Sequence, residues 1–139
     1  MKSLIQVGRV ASAILVFFSV SGLAGAQTKE ASNFEGTWSY ESGTVLIRAR
    51  AGDVLELHGH DSVSQWDSRC QLKVAKQFLC IGTGEIFAES SASKQKKNMP
   101  FLIRSKMTID GDTLKDEWET ENLEGKKGLS RTDVLKRMK

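Results

Sequence analysis

From Gly36 onward, apolar and polar residues alternate in short runs, and turn-forming residues separate the runs at regular spacing. A period of two puts apolar side chains on one face of an extended strand and polar ones on the other, so the pattern predicts β structure. The predicted strands are Gly36 to Tyr40, Thr44 to Arg50, Val54 to His60, Val63 to Val74 and Gln77 to Glu89. Pro100 to Asp110, Thr113 to Asn122 and Gly128 to Met138 complete the series. Turns are predicted at Glu41-Ser42-Gly43, Ala51-Gly52-Asp53, Gly111-Asp112 and Glu124-Gly125-Lys126-Lys127. Asp110-Gly111 is the strongest hairpin signal, because glycine supplies the positive φ that tight turns require. Pro100, the only proline, falls at the start of a strand, where a missing amide is tolerated.

Eight short-looped strands with no helical period between them predict an antiparallel meander. A sheet of that length curls and closes, because closure satisfies both edges. The expected fold is therefore all-β, an eight-stranded up-and-down barrel, with a two-sheet sandwich as the alternative. The segment Val134 to Met138 fits a helical period as well as a strand.

The region before the strands reads differently. Lys2 and Arg9 make a basic start, Val10 to Val20 is apolar, and Ala24-Gly25-Ala26 offers small residues for cleavage. This is the pattern of an export signal, and the apolar run is too short to span a bilayer. Residues 1–26 are expected to be removed, leaving residues 27–139 as a single exported domain, periplasmic or secreted. The whole chain carries 20 basic and 17 acidic residues, but Lys2 and Arg9 belong to the signal, so the mature net charge is +1 rather than +3. A near-neutral domain has no electrostatic case for binding nucleic acid. The cluster Lys94, Lys96 and Lys97 sits among Ser and Gln and reads as a solvated loop tip. Strand faces rich in Glu and Lys argue against insertion in a membrane, which needs an outward apolar band.

Export to an oxidising space changes the reading of the two cysteines. A hairpin turning at Val74-Ala75-Lys76 places Cys70 directly opposite Cys80, within reach of a disulfide. Their spacing is not that of a redox motif, and the bridge is read as structural.

Few residues suggest chemistry. His58 and His60 share one strand face, but two histidines do not close a zinc site, and Glu56 on the same face indicates exposure. No metal, cofactor or catalytic motif is expected, and the chain reads as non-enzymatic. Gly82-Thr83-Gly84 lies mid-strand and suggests a bulge or bend. More informative is Thr113 to Asn122. Lys115, Glu117, Glu119 and Glu121 share a face that must be solvated, so Leu114, Asp116, Trp118, Thr120 and Asn122 point inward. The last strand offers Leu129, Arg131, Asp133, Leu135 and Arg137, against an apolar wall from Phe101 to Ile109. Such an interior is either a ligand cavity or a filled core with an internal pair such as Asp116–Arg131.

Phe34-Glu35-Gly36-Thr37-Trp38, following Asn33, resembles the opening of the calycin group, which includes lipocalins, fatty-acid-binding proteins and avidins. The resemblance implies that Trp38 seats its indole at the closed end of the barrel and that Arg137 or Arg131 packs across it. Gly36-Thr37-Trp38 with Gly43-Thr44 also resembles the first avidin hairpin. Tyr40 stands where biotin recognition in that family uses Asn, so biotin binding does not carry over.

Two functions follow as expectations. The first is an exported, soluble barrel binding a small, partly apolar ligand, with Tyr40, Trp66 and Trp118 as aromatic walls and Asp116 or Arg131 as polar contacts. The second is an interaction protein with a filled barrel, which touches an exported protein partner through Ser90 to Asn98.

Overall fold

The structure, a computed structural model, describes residues 29–88 and 97–139. The expected signal, residues 1–26, and most of the Ser90 to Asn98 loop lie outside the described residues. A short helix α1 (Lys29–Phe34) precedes β1 (Gly36–Ser39), β2 (Gly43–Arg50), β3 (Val54–Asp61) and β4 (Ser64–Val74). Then follow β5 (Gln77–Ile86), β6 (Met99–Asp110), β7 (Thr113–Glu121) and β8 (Lys127–Arg137). Each strand pairs antiparallel with the next, and β8 returns to β1 to close an eight-stranded barrel. The sandwich alternative is excluded, and Val134 to Arg137 is strand rather than helix.

The alternation sets which side chains enter the barrel. On β3, Leu55 and Leu57 are buried while Glu56 and His58 are exposed, and β2 buries Val45, Ile47 and Ala49 on the same principle. Outside, ion pairs cover the wall: Arg50–Glu56, Lys106–Glu117 and Arg104–Glu121, at 2.8, 2.8 and 3.0 Å. The outward surface mixes these charges with exposed apolar side chains such as Leu79, Ile81 and Val134. Among the described residues, no helix is long and apolar enough to cross a membrane.

Cys70 and Cys80 are register partners and form a disulfide inside the barrel, with Cα atoms 3.9 Å apart. The hairpin differs slightly from the predicted one. Val74 pairs with Gln77, leaving a two-residue turn with Lys76 at φ 61°, and a bulge between Leu72 and Val74 takes up the extra residue. The bulge preserves the cysteine register.

The helix α1 carries too brief an apolar signal to be read from sequence. Ala31 and Phe34 are both fully buried, one turn apart on the face that plugs the barrel end. Phe34 meets Phe78 edge-on at 4.8 Å and accepts a hydrogen bond at its carbonyl from the Trp38 indole, 2.8 Å. Trp38 is fully buried, and the guanidinium of Arg137, not that of Arg131, lies 4.2 Å over its ring. Arg137 also donates to the carbonyls of Glu35 and Asn33, at 2.6 and 2.5 Å. This end is closed.

Candidate ligand cavity

The lumen is filled in one half and hollow in the other. Towards the closed end it holds Trp38, Phe78, Leu55, Met107 and Leu114, all fully buried or nearly so. Towards the other end lies a cavity of about 500 Å³, reached between the β1–β2, β3–β4 and β7–β8 turns. The two readings of the interior, cavity and filled core, each describe one half. Tyr40, Trp66, Asp116, Trp118 and Arg131 all line the hollow half.

Trp66 stands on β4 between two glycines, facing Gly59 across β3 and Gly84 across β5. A Cβ at Gly59 would collide with the Trp66 indole, and one at Gly84 with the ring of Phe101. These glycines therefore make room for the aromatic wall. The expected bulge or bend at Gly82-Thr83-Gly84 is not there, because the β5 register runs unbroken from Gln77 to Ile86 against β6. The absence of side chains serves close packing instead.

Tyr40 closes the wall at the mouth. Its ring lies 6.5 Å from Trp66, and its hydroxyl donates to Asp61 Oδ2 at 3.2 Å. Asp61 is itself held by the β3–β4 turn, since its Oδ1 accepts from the amides of Val63 and Ser64 at 2.8 and 2.7 Å. Burial, then the neighbouring Asp61 carboxylate, pushes the Tyr40 phenol well above its ordinary range, so it stays protonated.

At the boundary between filled and hollow halves, Asp116 on β7 faces Asp133 on β8 as a register partner. Asp133 Oδ2 accepts the Trp118 indole N–H at 2.7 Å, which fixes the ring against the cavity. Asp116 is different. Its Oδ1 is buried and has no hydrogen-bond partner among the described residues. Burial raises its pKa to about 7, the Ser105 hydroxyl opposes this, and the charges of Asp133 and Glu117 add to it. The internal Asp116–Arg131 pair does not form. Arg131 lies opposite Trp118 and is exposed at the cavity edge. The register of β7 against β8 explains this, because it sets Asp116 opposite Asp133 and Arg131 two residues further along, opposite Trp118.

The sequence pattern places Asp133 on the inward face without singling it out and leaves Asp61 and Gly59 out of the wall. The parity of β8 carried the first signal, and a glycine beside a register-matched tryptophan carried the last. His58 and His60 lie outside the barrel, where His58 pairs with Asp67 at 2.8 Å and His60 meets the Thr44 hydroxyl at 3.1 Å. No protein family, curated protein or solved structure matches this chain. The architecture, an eight-stranded antiparallel barrel with its Gly-x-Trp strand at the closed end, is compatible with a calycin-like fold.

Proposed function

We propose that this chain is an exported, non-enzymatic, lipocalin-like barrel that holds a small, partly apolar ligand in the hollow half of its lumen. The observation that carries this reading is the cavity of about 500 Å³, whose lining surface is mainly apolar and includes Tyr40, Trp66, Phe101 and Trp118, with polar and charged side chains among them. That size and mixture suit a small-molecule site. Tyr40, Trp66 and Trp118 would contact the apolar body of the ligand, with Asp116 and Arg131 as polar contacts. Arg137 across Trp38 supports the likeness to calycins, since it matches the expectation that the resemblance raised. The Cys70–Cys80 disulfide supports an oxidising destination, as the basic and apolar start of the chain does.

The alternative, a protein-binding module with a filled barrel, has less support because half the lumen is hollow. Native mass spectrometry of the protein taken from its exported compartment tests the choice. A co-purified small mass that is lost on denaturation supports the ligand reading. A bare barrel that retains a second protein overturns it.

A further inference from the structure

Resting on that reading, we propose that the ligand is an organic amine, whose ammonium group is received by Asp116 and whose apolar body lies against the aromatic wall. Three observations at the cavity floor converge on a cation. Asp116 Oδ1 is a buried acceptor with no partner among the described residues, and a hydrogen-bond donor on an occupant would satisfy it. Asp133 lies directly opposite, placing two carboxyl groups together, and neither takes part in any described ion pair. Trp118, anchored to Asp133, offers an aromatic face beside them, and aromatic rings with carboxylates are the chemistry that receives ammonium groups.

The charge distribution along the cavity gives the occupant a direction. Every basic residue lining it, Lys126, Lys127 and Arg131, is exposed and belongs to the β7–β8 turn or to β8. Asp61 and Glu121 also line the cavity, so the mouth carries both signs of charge, whereas Asp116 and Asp133 at the floor would repel a carboxylate ligand. An amine would be drawn to the floor. The groups that face Asp116 are few: Ser105 and Met107 from β6, and Asp133 from β8. Lys106 and Lys115 pair outside the barrel with Glu117, while Tyr40 and Asp61 bind each other at the mouth. Arg131 lines the cavity two residues from Asp133 on β8, but it is exposed and forms no ion pair with Asp116 among the described residues.

Calorimetric titration of the whole protein with n-octylamine, n-octanol and octanoate tests the proposal. Octylamine is expected to bind one per barrel, at least tenfold tighter than octanol and octanoate near neutral pH. Lowering the pH to about 5 protonates Asp116 and should weaken octylamine while leaving octanol unchanged. Asp116→Asn should abolish the preference for amine over alcohol, with near-ultraviolet circular dichroism reporting an intact core. Should octanol or octanoate bind as tightly as octylamine, the amine proposal is overturned while the lumen reading stands. If no probe binds, both fall.

Discussion

Arg137 lies 4.2 Å over the ring of Trp38 and hydrogen-bonds the carbonyls of Asn33 and Glu35, so one side chain ties the last strand to the first and to the plugging helix. The cation–π contact and the charge-assisted hydrogen bonds act at the same point, where the barrel closes through only two residue pairs. Arg137→Ala should destabilise the fold by roughly 2–4 kcal/mol. Arg137→Lys should recover only part of that, because an ammonium cannot span two carbonyls and cover the indole together. Urea denaturation monitored by Trp fluorescence measures both.

Asp116 makes stability depend on pH. Its folded pKa of about 7 lies above the ordinary 3.8, so the native state keeps a proton that the unfolded chain releases. Stability is then highest below the unfolded value, declines as pH rises from about 4 to 7, and levels off above that. Asp116→Asn removes the cost of the buried charge. The variant should be more stable than wild type by roughly 2–4 kcal/mol above pH 7, with the difference vanishing near pH 4. Thermal melts of both proteins across this range would show it.

The Cys70–Cys80 bridge closes a short loop, with a sequence separation of 10. In the chain-entropy picture its removal should cost about 2–3 kcal/mol. Denaturation with and without reductant, alongside the double Cys→Ala variant, tests this.

Gly59→Ala should displace the Trp66 indole, because the added methyl group occupies the space of the ring. A loss of about 1–3 kcal/mol is expected, with a changed Trp66 near-ultraviolet signal. Gly84→Ala should do the same through Phe101.

Much of this architecture is legible in the chain because a strand's period is local. The inward row Leu114, Asp116, Trp118 follows from the charges on alternate positions, and a turn between Cys70 and Cys80 sets their register. What could not be read depends on how neighbouring strands meet. The register of β7 against β8 sets Asp116 opposite Asp133 and leaves Arg131 exposed at the cavity edge, and the alternation within each strand does not encode how far the two slide. The glycines were misread for a similar cause. Gly84 needs its small size for Phe101 on β6, a partner invisible to inspection of β5 alone. The helix α1 rests on just Ala31 and Phe34, too few positions to declare a period.

The central claim is that the hollow half of the lumen receives a small molecule, and titration with a neutral, environment-sensitive apolar fluorophore tests it most directly. Wild-type protein should bind one fluorophore per barrel with energy transfer from Trp66 and Trp118, which line the cavity. Thr120→Trp, which places an indole in the same space, should abolish saturable binding while the fold is kept. Equal binding by wild type and by Thr120→Trp, or no saturable binding by wild type, would contradict the account.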